Sequence, residues 1–384
     1  MKTSNVCAPT TVNNGTIYLA LELSRRTWLV TMHSPDRDRI SQYKVEGGDY
    51  AGLLKLIAKV RARTAQKLGL EPPVVSCYEA GYDGFWLHRL LMEAGISNHV
   101  FDPASVMVEQ RARRAKTDRI DGKQLLRTLR QYCGGDRQAV RIVRVASPEQ
   151  EDFRRDTRER ERLGEEMTSH GNRIKALLRL LGMPIGDPRR HDYLDWLAKQ
   201  RDWNGKPVPP RLWAEIKREH TRLRLLIDQL AALEGEPNPE QLSPAAAEMV
   251  RRRNSFFRLK SLGPAFSSQL VNEAFYKDFR NRREVGAYFG LDGSPWRSGD
   301  TNREQGISKA GNRRARRAAI ELAWLWLRHQ ADSALSKWFR QRAGNASKRI
   351  RRITIVALAR KLMVALWRFL TTGLIPDGAV LKSS

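Results

Sequence analysis

Apolar residues run together or alternate in some stretches of the chain, and in others they recur every third or fourth position. Near the start, Thr16 to Leu23 (TIYLALEL) is apolar almost throughout and predicts a buried strand. Thr27 to Met32 (TWLVTM) and Ile40 to Val45 predict two more, joined by short polar breaks that suit hairpins. From Ala51 to Leu68, the positions Leu53, Leu54, Ile57, Val60 and Leu68 follow a helical period with one polar gap at Thr64. Pro73 to Tyr78 (PVVSCY) predicts a fourth strand, ending at Glu79-Ala80-Gly81. A helix at Phe85–Ala94, a short strand at His99–Phe101 and a helix at Asp118–Cys133 follow, the last stopped by Gly134-Gly135.

Ser147-Pro148-Glu149-Gln150 is a helix start: Ser as N-cap, Pro at the first position and Gln at the third. The charged helix it opens runs to about Leu181, where residues 183–210, with five prolines, interrupt it. A second helix, Arg211 to Glu234, spaces Leu212, Ile216, Leu223, Leu226, Leu230 and Leu233 in a heptad-like seam. The two predict an antiparallel coiled-coil arm, followed by a linker at Gly235–Pro244. From Ala245 the chain is helical again, with clear helices at Asn312–His329 and Ser347–Leu370. The Gly-, Ser- and Arg-rich stretch Gly290–Gly311 reads as loop. No internal repeat is present. The expected organisation is an unordered lead-in over 1–15, an α/β domain over 16–146, the arm over 147–244, and a mainly helical domain over 245–384.

Charge narrows the class. The 384 residues carry a formal net charge of +27, which is costly unless something anionic shares the surface. From Arg251 to Ser384, 28 Lys and Arg stand against 9 Asp and Glu, a net of +19, so the last third holds most of the excess. Nucleic acid is the expected partner. A membrane is the competitor, but no run of about 18 apolar residues exists to span one. The polar start MKTSNVCAPTTVNNG has no signal-peptide core. Cys7, Cys77 and Cys133 form neither a zinc pattern nor a disulfide framework, so a reducing, cytoplasmic setting is the default.

Candidate chemistry lies in the better-balanced first third. Metal-dependent cleavage of a phosphodiester needs carboxylates that converge on one or two hard cations, about 4 Å apart when paired. Glu22 ends the first strand, and Glu79 ends a strand that could neighbour it. Asp118 and Asp121, three apart at a helix start, share one face beside the positive end of the helix dipole. Capping and solvation would also explain the aspartates, and a strand-end turn would explain Glu79. Glu22, between Leu21 and Leu23, is harder to explain without a partner or a metal.

Together these pieces resemble the DEDD transposases of bacterial insertion sequences, the RNA-guided bridge recombinases. The resemblance rests on LALELSRRTW (Leu19–Trp28), CYEAGYDGFWLHRLL (Cys77–Leu91), AKTDRIDGKQL (Ala115–Leu125) and the C-terminal SLGPAF, AYFGLDGSPWRSG and GISKAGNRRARRAAIELAW. It implies an N-terminal RuvC-like domain of ribonuclease-H type, whose element order the strands and helices above follow. A coiled-coil arm and a mainly α C-terminal transposase domain complete it. It also implies that Glu22, Glu79, Asp118 and Asp121 bind Mg²⁺ or Mn²⁺, although the family's first acid is most often Asp and here is Glu. The serine nucleophile it implies is Ser298, in Trp296-Arg297-Ser298-Gly299, with Ser294 and Ser308 as the nearest rivals. Double-stranded donor and target DNA, a structured guide RNA from the element, and a homo-tetramer built as a dimer of dimers are the implied partners.

Leu262-Gly263-Pro264 before a helix resembles a degraded helix-hairpin-helix turn, which would offer backbone N–H groups to phosphate. Arg313, Arg314, Arg316 and Arg317 crowd one helix start, and Lys348, Arg349, Arg351 and Arg352 another. With Lys309, they are the candidate phosphate contacts. Trp324 and Trp326 sit among Leu and Ala and read as core. Competing readings are a junction nuclease that uses only the carboxylates and a non-enzymatic nucleic-acid-binding protein. A tyrosine recombinase has its His-x-x-Arg match only at His170–Arg173, within the expected arm.

Overall fold

The computed structural model describes residues 15–37, 39–82, 84–106, 118–233, 242–298 and 301–382; for 118–119, 295–298 and 301–305 it describes the backbone alone. The expected lead-in over 1–15 lies almost wholly outside the described residues. The chain divides into two compact units, Met1–Ala146 and Ser147–Ser384.

The first unit is built on a five-stranded sheet: β1 (Ile17–Glu22), β2 (Thr27–His33), β3 (Ser41–Glu46), β4 (Val74–Glu79) and β5 (Ser97–Phe101), in the order β3-β2-β1-β4-β5. The first three strands form an antiparallel meander, while β4 and β5 run parallel to β1. Both β1 and β4 are covered on both faces, which explains their unbroken apolar character. One face takes α1 (Tyr50–Leu68) and α2 (Trp86–Glu93): Leu53, Ile57, Leu87 and Leu91 pack on Leu19, Leu21, Trp28 and Val30. The other face takes α3 (Asp118–Cys133), whose Leu125, Leu126 and Leu129 pack on Tyr18, Ala20, Val75 and Cys77. Asp49 caps α1 by accepting a hydrogen bond from the Gly52 N–H at 2.8 Å, and Gly69 ends it in the left-handed conformation.

The second unit is mainly helical. Its first helix, α4 (Pro148–Arg179), opens with the predicted capping box: Ser147 Oγ accepts from the Gln150 N–H, and Gln150 Oε1 accepts from the Ser147 N–H. After α5 (Tyr193–Ala198) the chain returns in α6 (Pro210–Ala232), which packs alongside α4. The proline-rich connection is ordered: Met183, Tyr193, Leu197 and Val208 join Ile174, Leu178, Ile216 and Leu223 in one core. The remaining helices are α7 (Pro244–Phe257), α8 (Pro264–Leu270), α9 (Arg282–Phe289), α10 (Arg313–His329), α11 (Ala334–Ala343) and α12 (Lys348–Thr372). Leu322 and Trp326 of α10 and Leu358, Leu362 and Leu366 of α12 are fully buried, and the two helices pack together.

Two expectations change here. Gly290–Gly311 is not all loop: β6 (Gly293–Ser298) and β7 (Thr301–Ile307) form an antiparallel hairpin. Its sequence lacks apolar alternation and has Pro295 inside a strand, so neither usual strand signal was present. Trp326 is core and donates from its indole N–H to Ser333 Oγ at 2.9 Å, but Trp324 is 43% exposed. The two lie two positions apart, so they point to different sides of α10.

Candidate active site

Register brings the two glutamates together. In the parallel β1–β4 pair, Ile17 through Leu21 align with Val74 through Tyr78, and one further step sets Glu22 beside Glu79. Both end their strands, both are partly buried, and both share the parity of Ala20 and Cys77, the face that α3 covers. The buried Cys77 thiol reports this arrangement. Its pKa is pushed well up, first by burial, then by the charges of Cys133, Glu79 and Glu22.

The helix α3 begins at Asp118, and its positions 118, 121 and 125 lie on one stripe, of which Leu125 is buried against the sheet. The Leu125 carbonyl lies 3.8 Å from Cys77 Sγ. Gly122 permits the close approach, because a Cβ there would stand 2.5 Å from Thr31 Oγ1 and 3.8 Å from Leu29 Cδ2. Leu29 is the cross-strand partner of Glu22. Gly122 of α3 therefore lies over Thr31 and Leu29, the β2 residues opposite Ala20 and Glu22. The side chain of Asp118 lies outside the described residues, and Asp121 is partly buried. Among the described residues, no three Asp, Glu, His or Cys side chains stand close enough to hold a metal ion. Glu22 and Glu79, the two acids that the register brings side by side, offer the hard oxygen chemistry that Mg²⁺ or Mn²⁺ prefers.

Ser298 is the last residue of β6, in register with Thr301, and its side chain is not among those described. The base of the hairpin is held by the Ser308 N–H donating to the Asp292 carbonyl at 2.8 Å, and the Asp292 side chain pairs with Arg360 at 2.8 Å. Ser294 lies in the same strand and Ser308 just after β7. Lys309 is exposed and has a left-handed backbone (φ 55°), with its N–H on the Gly290 carbonyl.

The basic clusters separate into two kinds. Arg314 reaches Glu161 at 2.7 Å, and Arg317 reaches Glu161 and Glu165 at 3.3 Å and Glu321 at 2.9 Å. Arg316 donates to the Phe289 and Ala310 carbonyls, both at 3.3 Å. These three thus tie α10 to α4 and to the loop before it, leaving Arg313 exposed. Lys348, Arg349, Arg351 and Arg352 are all exposed and have no carboxylate partner among the described residues. Leu262 is buried, and Gly263 is the N-cap of α8, with no side-chain cap.

A clamp that sequence reading missed holds α4 in place. Glu273, 1% exposed in the π-helical turn Val271–Phe275, accepts from Arg158 at 2.8 and 3.3 Å and from Asn312 Nδ2 at 2.9 Å. Burial alone would raise its pKa. The hydrogen bonds from Arg158 and Asn312 and the charges of Arg158 and Arg154 outweigh that and hold it below the ordinary range. Arg154 donates to the Asn272 carbonyl at 3.0 Å, and Asn272 Nδ2 donates to the Phe153 carbonyl at 2.7 Å. The signal was present: an acid inside an apolar run, LVNEAF, the same feature that singles out Glu22.

Two family models match the chain. One, for DEDD transposases of the IS110 type and described as a transposase, matches residues 24–183. The other, described as the transposase IS116/IS110/IS902 family, matches residues 254–342. The chain is 42% identical to "Putative transposase y4rJ" of Sinorhizobium fredii (strain NBRC 101917 / NGR234) over 395 residues, 98% of each chain. It is 25% identical to "Putative transposase y4qE" of the same organism over 285 residues, 74% of this chain and 64% of that one.

Proposed function

Because the chain belongs to the IS110 family of transposases, we propose that it cuts and rejoins DNA with two sets of residues, the carboxylates Glu22, Glu79, Asp118 and Asp121 and the serine Ser298. The observation that carries this reading is the β1–β4 register, which one step beyond Leu21 and Tyr78 sets Glu22 beside Glu79 on the face that α3 covers. We read the first unit as a RuvC-like domain of ribonuclease-H type, α4 with α6 as a coiled-coil arm, and the helical remainder as the transposase domain. A divalent ion, Mg²⁺ or Mn²⁺, would supply Lewis-acid polarisation of the scissile phosphate when bound by the four carboxylates.

The serine's task follows from its chemistry. A free hydroxyl is a weak nucleophile at neutral pH, so the Ser298 proton must be withdrawn as attack begins. The Oγ–P bond forms as the bond from phosphorus to the 3′ oxygen breaks, and that oxygen takes up a proton. The phosphoserine ester keeps the bond energy, so attack by another 3′ hydroxyl restores the DNA and frees the serine without ATP. By this reading the choice of site comes from base pairing with a structured RNA of the element, and the working form is a tetramer of two dimers. Lys309, Arg313 and the Lys348–Arg352 cluster are the phosphate contacts we favour, since Arg314, Arg316 and Arg317 are engaged within the protein. No helix among the described residues is long and apolar enough to cross a membrane.

Covalent trapping tests the serine. Protein, element RNA and nicked DNA are mixed, denatured and searched for a protein–DNA adduct. The adduct should vanish in Ser298→Ala and persist in Ser294→Ala and Ser308→Ala; an adduct that survives Ser298→Ala refutes the assignment. For the carboxylates, Asp121→Asn should abolish cleavage while sparing nucleic-acid binding. Normal cleavage by that variant would leave a non-catalytic binding protein, or a differently placed site, as the better reading.

A further inference from the structure

A groove of about 660 Å³ runs between the starts of α9 and α11, the middle of α12 and the segment that follows it. Its rim carries five cations, Arg282, Arg283, Arg360, Lys361 and Arg368, against one acid, Asp377. Arg360 is engaged with Asp292 at 2.8 Å. The other four are exposed and have no carboxylate partner among the described residues. The floor is apolar, formed by Leu335, Val364, Leu374 and Ile375. Of these, Leu374 is 68% and Ile375 45% exposed, an apolar surface that water covers poorly.

Hydrogen bonds fix the C-terminal segment that forms one wall of the groove. The Ala334 N–H donates to the Asp377 carbonyl at 3.0 Å, closing the C-terminal segment onto the start of α11. Gln330 then clasps Val380 from both sides, donating to its carbonyl at 2.8 Å and accepting from its N–H at 2.7 Å. A preformed cleft loses little entropy when it is filled.

Four exposed cations without a carboxylate partner among the described residues, one of them Lys361 resting over the Trp338 ring at 4.9 Å, surround an apolar floor. They call for a ligand that is anionic along its edge and flat and apolar at its centre. A duplex offers only the first, because its bases are stacked inside. An unpaired strand offers both, since its phosphates meet the cations and its exposed bases can stack on guanidinium planes or apolar side chains. The volume suits one or two nucleosides, within the range of roughly 300–1,000 Å³ typical of small-ligand sites. Cutting and exchanging DNA strands exposes unpaired nucleotides beside each break. We propose that this groove seats an unpaired stretch of DNA, with phosphates against Arg282, Arg283, Lys361 and Arg368 and bases over Leu335, Val364, Leu374 and Ile375. The proposal rests on the reading of the chain as a DNA recombinase and adds where the opened strand is held.

Fluorescence anisotropy of the full chain tests it, with a dye-labelled single strand of DNA, its duplex and an RNA of the same sequence, each titrated across a KCl series. Replacing both Arg283 and Arg368 by Ala should weaken single-strand binding and reduce its salt slope by about 1.4, that is, two contacts at about 0.7 each. Leu374→Asp, at an exposed position that does not endanger folding, should cost about tenfold for the single strand. Duplex binding should stay within about twofold, whereas Lys348→Ala with Arg349→Ala should weaken the duplex first. Equal losses for duplex and single strand would reduce the groove to general electrostatics and overturn the proposal. No loss in any groove variant, or a loss seen for RNA alone, would also overturn it. If the groove variants instead change the oligomer mass by light scattering and leave DNA affinity intact, the groove seats a second copy of the chain. A wild-type chain that binds no DNA at all would sink the recombinase reading with it.

Discussion

Substituting Gly122 by alanine probes whether the closeness of α3 to the sheet sets the carboxylate geometry. The added Cβ would stand 2.5 Å from Thr31 Oγ1. An ordinary contact is about 3.5 Å, so either α3 must recede by about 1 Å or Thr31 must turn. Turning is resisted, because Thr31 is fully buried and its Oγ1 accepts from Gln42 Nε2 at 3.2 Å. If α3 recedes, Asp118 and Asp121 move relative to Glu22 and Glu79, and a displacement near 1 Å costs about 100-fold in rate where geometry is catalytic. Alanine is itself favoured over glycine inside a helix by about 0.5–1 kcal/mol. Slow cleavage with an unchanged or raised Tm would therefore separate misplacement from unfolding. The assay is metal-dependent strand cleavage under single turnover, paired with thermal melting. Thr31→Ala should restore most of the lost rate in the double variant, because the Thr31 Cβ lies at 3.5 Å, an ordinary contact. Wild-type cleavage by Gly122→Ala, or a folded, slow variant that Thr31→Ala fails to rescue, would refute the reasoning.

Three further outcomes are expected. Arg158→Ala strands the buried Glu273 carboxylate and should cost about 3 kcal/mol, the low end for a broken buried pair. The low end applies because Arg158 is 44% exposed and Asn312 remains. For a unit of this size that is roughly a 6–12 °C fall in Tm, whereas a fall under about 2 °C would show that the clamp is dispensable. His99 is held at about pKa 4 by burial, then by the charges of His88 and Arg137, and packs edge-on to Tyr132 at 5.4 Å. Its depressed pKa means that the unfolded chain binds the proton first, so stability should be lost as pH falls from about 6.5 towards 4. His99→Phe should flatten that slope in chemical denaturation, and an unchanged slope would place its origin elsewhere. Lys348→Ala with Arg349→Ala should lower the salt slope of duplex binding by about 1.8, and an unchanged slope would remove this helix start from the DNA surface.

The hydrophobic pattern alone determined much of this protein. Unbroken apolar runs can be satisfied only by strands covered on both faces, so β1 and β4 were legible from TIYLALEL and PVVSCY. Local chemistry placed α4, because a Ser-Pro-x-Gln start satisfies its own N–H groups wherever it occurs. Motif resemblance led to the family. The hairpin at 293–307 was not legible, since its polar strands leave no alternating apolar side for a sequence to display. Tertiary structure also decided what each charge is for. Glu22 and Glu273 look alike in sequence, each an acid inside an apolar run. Glu273 meets Arg158 and Asn312 and becomes a clamp, while Glu22 meets the strand end that bears Glu79. Likewise Arg314 and Arg317 find Glu161 across 153 and 156 residues of chain, whereas Arg349 and Arg352 find no carboxylate among the described residues. A side chain's own chemistry and its near neighbours act locally and can be read in order along the chain. Its electrostatic partner is chosen by which distant segment the packing brings within a few ångströms, and only the folded structure determines that.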